Sequence, residues 1–211
     1  MQIGFYLYLL FIASWFLRFT VRFPILAHIR FDFLLILLIV FLHIFGTKIH
    51  TGHISKNICY RRLLLLIVAI FFSIPFAEWP GSVLSTGIQN YIKAIVFFFF
   101  TVWFVQTRKQ LQIFIVVFLF CQTFRILEPL YLHLTQGYWG SLASMANWEF
   151  MYRLAGSPYD IINPNGLAFV VLTVLPFFLF YCKNNLTWKL VSACCVPASL
   201  YALYLTGSRS G

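Results

Sequence analysis

Seven long apolar runs separated by short polar breaks make up most of this chain. Most of them have about the 17–25 residues that an α-helix needs to cross a bilayer. Of the 211 residues, 62% are hydrophobic and only 9% are charged. Too few polar side chains are therefore present to cover a water-soluble globule. This composition excludes a soluble enzyme, a disulfide scaffold, a disordered tail and a nucleic-acid-binding module. We predict an all-α, polytopic transmembrane helix bundle forming one domain over residues 1–211, with spans at about 3–19, 31–46, 63–79, 88–106, 111–133, 166–182 and 188–206.

The charges between the spans predict the orientation of the bundle. The even-numbered connections carry no acidic residue and eight basic ones, namely Lys48, Lys56, Arg61, Arg62, Arg108, Lys109, Lys183 and Lys189. The positive-inside rule therefore places the N-terminus and these connections in the cytoplasm. The same rule explains the net charge of +10 without nucleic acid as a partner. Arg18, Arg22 and Arg30 oppose this orientation; an interfacial position or a distorted hairpin would accommodate them.

Cysteine and histidine residues do not form a recognisable metal or cofactor motif. The five cysteines follow no disulfide or metal-ligand spacing, and we interpret them as free thiols. His50, His53 and Cys59 share a cytoplasmic connection, but no second half of a metal site accompanies them. No nucleotide-binding glycine motif is present. We expect neither a metal ion nor another cofactor.

Four cations fall toward the outer face in this orientation: Lys93, Arg125, Arg153 and Arg209. Lys93 and Arg125 each lie about 21 Å from the cytoplasmic end of their helices. Charges at such depth usually face a cavity or a partner, and guanidinium groups suit phosphate, so the four cations predict an anionic ligand. Simpler explanations remain open: Lys93 snorkels to the headgroups, Arg125 pairs with Glu128 on its own helix, and Arg153 is a solvated loop charge.

The outer loop before the sixth span contains a turn signal followed by a helix start. Gly156-Ser157-Pro158 predicts the turn. Asn163 and Pro164 match the cap and the first position of a helix. The positive end of that helix would face the outer side and could contribute to an anion site, although a simple cap explains the residues equally well.

Five short segments follow one another over roughly residues 70–211. They are Pro75–Gly81, Asn90–Lys93, Arg153 with Gly156, Asn163–Ala168 and Leu205–Gly211. In this order and spacing the chain resembles the O-antigen ligase and polymerase family of bacterial membrane proteins. The resemblance implies a metal-independent glycosyltransferase in the bacterial inner membrane. Such an enzyme moves an undecaprenyl-diphosphate-linked glycan to a lipid A-core sugar or to another glycan repeat unit.

The resemblance also implies roles for individual residues. Arg209 matches the arginine that binds the donor diphosphate in the family, so it is the candidate catalytic residue. Arg153, Lys93, Arg125 and Asn165 are the candidate substrate-binding residues. Family members continue for further spans and an outer loop with the histidine proposed to activate the acceptor. We therefore expect this chain to be the N-terminal part of a longer enzyme and inactive alone.

Two other classes of protein are compatible with the sequence. A transporter or flippase would line a path for an anionic or lipid-linked substrate with the same cations. A non-catalytic membrane subunit would use its polar residues only to hold helices together.

Overall fold

The computed structural model describes residues 2–45, 58–76, 78, 81, 83, 88–146, 149–182 and 185–208. These residues are mostly helical, with one short antiparallel hairpin. In chain order the elements are α1 (Gln2–Leu17), α2 (Phe19–Arg22), α3 (Pro24–His28), α4 (Phe31–Phe45), α5 (Ile58–Ser73), a 3₁₀ turn (Ile74–Phe76), α6 (Ile88–Phe104), α7 (Arg108–Gln136), β1 (Gly140–Ala146), β2 (Glu149–Leu154), α8 (Pro164–Tyr181) and α9 (Leu186–Thr206).

Each of the seven predicted apolar runs coincides with a helix, so the all-α class is confirmed. Within the described ranges, three helices are long and apolar enough to cross a membrane: α7, α8 and α9. The outer surfaces of these helices are apolar, since Phe120, Phe169 and Phe180 are largely exposed. Such surfaces indicate a membrane protein. The count of seven spans and the cytoplasmic N-terminus stay predictions.

The chain forms two compact units. The first contains Met1–Tyr8 and Leu37–Gln112, and the second contains Leu9–Ile36 and Ile113–Gly211. Aromatic rings dominate the first unit, where Tyr8 packs edge-on against Phe100. The Tyr8 hydroxyl lies 2.6 Å from the Thr101 hydroxyl. Burial of such a polar group is tolerated because it has a hydrogen-bond partner.

The second unit has its core between α7, α8 and α9. Helices α8 and α9 pack together, and β2 lies against both. Branched and aromatic side chains fill the space between them, because the apolar face of each helix is buried by the others. The buried set comprises Leu119, Ile126, Leu130, Leu154, Leu167, Val170, Val171, Val174, Phe178, Ala202 and Leu205.

The segment between α1 and α4 is a broken hairpin. Arg18 and Arg30 both have left-handed backbone conformations, with φ of 54° and 49°. Pro24 occupies the start of α3 after the extended Phe23, which interrupts the helix. Asp32 accepts hydrogen bonds from Ser14 at 2.5 Å and from Thr20 at 3.3 Å, and thereby ties α4 to the preceding segment. This geometry corresponds to the distorted hairpin that the three arginines of this region suggested.

The β1–β2 hairpin differs from the sequence prediction, which treats the whole outer segment as a loop. Gly140 pairs with Leu154 and Ser141 with Arg153 in an antiparallel register. The Ala155 N–H donates to the Trp139 carbonyl at 2.9 Å and extends this pairing. Backbone polar groups require partners when water is excluded, and the strand ladder provides them here. Arg153 therefore lies on a strand and is not a free loop charge.

Candidate functional site

Arg153 connects three elements of the second unit. Its Nε donates to the Thr206 carbonyl at 2.7 Å, at the end of α9. Its Nη2 donates to Asn165 Oδ1 at 2.6 Å, in the first turn of α8. Two of the predicted substrate-binding residues, 12 positions apart in the sequence, are thus in direct contact. We call Arg153, Asn165 and Thr206 the Arg153 site.

The start of α8 positions Asn165. The Asn163 side chain accepts the Gly166 N–H at 2.7 Å, and Pro164 stands in the first turn. The predicted cap and first helical position are both confirmed. A capped start holds the first turn in one conformation, because the side chain replaces a hydrogen bond that the helix cannot make for itself.

The end of α9 positions the Thr206 carbonyl. Gly207 follows the helix with φ of 55°, in the left-handed region that favours glycine. A Cβ atom at Gly207 would lie 2.8 Å from Met151 Cε and 3.7 Å from Arg153 Nε. The left-handed backbone conformation therefore favours glycine at this position, and an added Cβ would also require the flexible end of Met151 to move.

The charge of Arg153 is not neutralised within the described residues. Its two hydrogen bonds go to a carbonyl and to an amide oxygen, which are neutral acceptors. No carboxylate of the described chain lies within 4.0 Å of its nitrogens. A guanidinium group has five N–H donors. Arg153 thus has further donors and a positive charge that no described carboxylate neutralises.

Arg125 has different surroundings. Its Nε lies 2.6 Å and its Nη2 3.2 Å from the two carboxylate oxygens of Asp160, and Nη1 donates to Gln122 at 2.9 Å. The Arg125 and Asp160 side chains are only 12% and 3% exposed. The pairing of Arg125 with Glu128, which the sequence left open, is wrong. Asp160 neutralises this guanidinium, and Arg18 adds a second cation 3.9 Å from the same carboxylate.

Glu128 instead binds Arg22, from the broken hairpin. Two parallel hydrogen bonds of 2.6 and 2.5 Å join the guanidinium to the carboxylate. The hydrogen bond with Glu128 raises the pKa of Arg22 above its ordinary value. The guanidinium also stacks on the Tyr159 ring at 5.0 Å. We call Arg18, Arg22, Arg125, Glu128 and Asp160 the ion-pair cluster.

The remaining predicted site residues are less fully described. Lys93 lies on α6, in the first unit, and its side chain is outside the described residues. Arg209 lies outside the described residues, as do His50 and His53. In the part of the chain that the structure describes, no group of three or more histidine, cysteine or acidic side chains is arranged to hold a metal ion.

The ion pairs of Asp160 and Arg22 do not follow from the pattern of apolar runs. The signal was the scarcity of acidic residues, of which the whole chain has five. In so apolar a chain a buried carboxylate requires a basic partner. The few acidic residues, Asp160 and Glu128 among them, therefore indicate where ion pairs form.

Comparison with protein-family models, with curated proteins and with solved structures finds no match for this chain.

Proposed function

We propose that this chain is an O-antigen ligase-like or polymerase-like glycosyltransferase. It would bind an undecaprenyl-diphosphate-linked glycan at the outer face of the bacterial inner membrane, for transfer to a lipid A-core or glycan acceptor. One observation carries this proposal beyond the resemblance of the sequence. Arg153, with no acidic partner among the described residues, is held between the start of α8 and the end of α9.

The chemistry needs a cation that binds the donor diphosphate and stabilises it as it departs. Arginine suits this role because its planar donors match phosphate oxygens and it does not lose its proton. A preorganised cation contributes most when its geometry is set before the reaction begins. The contacts of Arg153 with Thr206 and Asn165 supply that preorganisation.

Asn165 and Arg209 extend the site in this proposal. The Asn165 amide oxygen is occupied by Arg153, which leaves its NH₂ group to donate to the ligand. Arg209 is three residues after Thr206, a reach of at most about 11 Å along the chain. In this proposal Arg209 stabilises the diphosphate as it departs, and Arg153 positions it. Arg125 is left out of the proposed site because Asp160 neutralises it.

The test is binding of lipid diphosphate to the full chain in nanodiscs. Undecaprenyl diphosphate is the probe, undecaprenol is the uncharged comparison, and native mass spectrometry measures the bound fraction. We expect Arg153→Ala to weaken diphosphate binding about 10- to 100-fold, the value of one charge-assisted contact of about 1.5–3 kcal/mol. Arg153→Lys should retain part of the affinity, because it keeps the charge but not the paired donors.

Arg108→Ala is the matched control. Arg108 is an exposed arginine at the opposite end of α7 from the hairpin, so its removal should leave binding unchanged. Equal binding of undecaprenol and undecaprenyl diphosphate would contradict the proposal. Wild-type affinity for undecaprenyl diphosphate in the double variant Arg153→Ala with Arg209→Ala would also contradict it. So would labelling, from the cytosolic side, of a cysteine introduced at Ser208.

A further inference from the structure

Two aromatic side chains of the outer hairpin stack against each other. Trp139, next to β1, and Tyr152, on β2, have ring centroids 6.0 Å apart and an interplanar angle of 30°. Tyr152 is 59% exposed, although its ring is large and mostly apolar. We call these two rings and the neighbouring His133 the aromatic platform.

His133 adds a hydrogen-bonding group to the edge of the platform. Its ring centroid lies 4.3 Å from that of Trp139, at an angle of 69°. Its Nδ1 is 2.9 Å from the Tyr138 carbonyl oxygen. A carbonyl oxygen only accepts, so in the neutral ring this contact places the hydrogen on Nδ1 and leaves Nε2 as an acceptor. Nε2 has no hydrogen-bond partner among the described residues.

Two hydrogen bonds fix the chain segment that carries the aromatic platform. The Tyr138 hydroxyl donates to the Gly156 carbonyl at 2.7 Å. Burial raises the pKa of Tyr138, which keeps the hydroxyl protonated as the donor in this contact. The Trp139 carbonyl in turn accepts the Ala155 N–H at 2.9 Å. These bonds fix the backbone of Trp139 before any ligand arrives, which lowers the cost of binding.

We propose that the aromatic platform binds a sugar ring. A pyranose has an apolar face of C–H groups, which stacks on flat aromatic rings, and a rim of hydroxyls. Here the C–H face would lie on the exposed face of Tyr152, whose other face is backed by Trp139, while one hydroxyl donates to His133 Nε2. The class of ligand rests on the proposed function, in which the chain binds a glycan.

The platform is distinct from the Arg153 site. Tyr152 and Arg153 are consecutive on β2, and consecutive strand residues point to opposite faces of a sheet. A sugar attached directly to the diphosphate would lie with Arg153, on the other face. The sugar on the platform is therefore a different one, either in the acceptor or farther along the donor glycan.

Saturation-transfer NMR on the full chain in nanodiscs tests the proposal. The probes are the methyl glycosides of glucose, galactose and N-acetylglucosamine. We expect saturation of the ring C–H protons of at least one glycoside, reduced at least fivefold by Tyr152→Ser and by Trp139→Ala. His133→Ala should weaken the signal less, and His133→Gln should recover part of it because glutamine restores an acceptor.

The controls separate this proposal from the diphosphate proposal. Tyr204→Ser removes an exposed tyrosine from α9, where the side chain is 79% exposed, and should leave the sugar signal unchanged. Arg153→Ala should weaken binding of undecaprenyl diphosphate and retain the saturation-transfer signal of the glycoside. Circular dichroism of each variant verifies that the helices are retained.

Two outcomes would overturn the platform. One is the absence of saturation transfer to all three glycosides; broadening of the Trp139 indole resonance by headgroup spin-labelled lipids would then identify the rings as a membrane anchor. The other is an equal loss of signal in Tyr204→Ser and Tyr152→Ser. Each result is independent of whether undecaprenyl diphosphate binds.

Discussion

Arg125 and Arg153 are arginines of the same structural unit with opposite environments. Arg125 is mostly buried, and each of its three nitrogens donates a hydrogen bond to Asp160 or Gln122. Arg153 is half-buried, with only neutral acceptors among the described residues. Removing the partner of a buried guanidinium destabilises the fold, because it leaves an unpaired buried charge. A guanidinium held by neutral groups keeps its charge for a ligand. The ion-pair cluster thus differs from the Arg153 site in the kind of partner that its arginines have. Mutations can distinguish the two, because they should affect stability in the first and ligand binding in the second.

The largest effect is expected from Asp160→Asn. This change leaves the 12%-exposed Arg125 without a counter-ion and should lower the free energy of unfolding by about 3–5 kcal/mol. SDS titration followed by circular dichroism measures the loss. The double variant Asp160→Asn with Arg125→Gln should lose less than the two single changes added together. A single-variant loss below about 1 kcal/mol would show that the pair is not buried.

A smaller loss is expected from Glu128→Gln. The change weakens the paired hydrogen bonds with Arg22, and we expect a cost of about 1.5–3 kcal/mol in the same titration. Glu78→Gln is the matched control, since Glu78 is exposed and forms no ion pair with a described residue. Diphosphate binding should survive in both variants wherever the protein is folded. A selective loss of binding in Glu128→Gln would move the ion-pair cluster into the ligand site.

Gly207→Ala tests the geometry of the Arg153 site. We expect a loss of about 1–2 kcal/mol, from the left-handed backbone and the contact with Met151. Gly137→Ala is a close control, because Gly137 has φ of 68° but nothing within 4 Å of the added Cβ. Both variants carry the backbone cost, while only Gly207→Ala also crowds Met151, beside Arg153 on β2, and we expect this strain at the end of α9 to weaken binding of undecaprenyl diphosphate. Equal binding by the two variants would contradict this role for Gly207.

The smallest expected effect concerns the helix starts. Asn163→Ala removes the side-chain cap of α8 and should cost about 1 kcal/mol of unfolding free energy. Asn185 precedes α9 in the equivalent place, but its side chain makes no cap hydrogen bond, so Asn185→Ala should cost only a few tenths of a kcal/mol. Thermal unfolding of both variants gives the difference. A larger loss in Asn185→Ala would reverse the assignment of the cap.

Local features of this protein were predictable. The apolar runs lead to helices, and the start of α8 follows from Asn163 and Pro164, because capping depends on neighbouring residues. The contact between Arg153 and Asn165 was not predictable in its geometry, although both residues were candidates. It requires β2, whose pairing with β1 depends on residues that are apart in sequence.

The charged contacts show why the rest was hidden. Glu128 was the nearest acid to Arg125 in sequence, yet the partner is Asp160, 35 residues away. Arg22 meets Glu128 across 106 residues. Local spacing on a helix permits an ion pair but does not select it, because competing partners arrive from other elements.

By itself the sequence determined the helical class, the apolar lengths and the capped start of α8, since hydrophobic content and hydrogen-bond capacity act over neighbouring residues. Only the tertiary structure decided which arginine is neutralised and which keeps its charge. Packing brings Asp160 to Arg125 and brings Thr206 and Asn165 to Arg153. That choice is physical: the electrostatic energy of a buried guanidinium depends on groups within a few ångströms, wherever they stand in the chain.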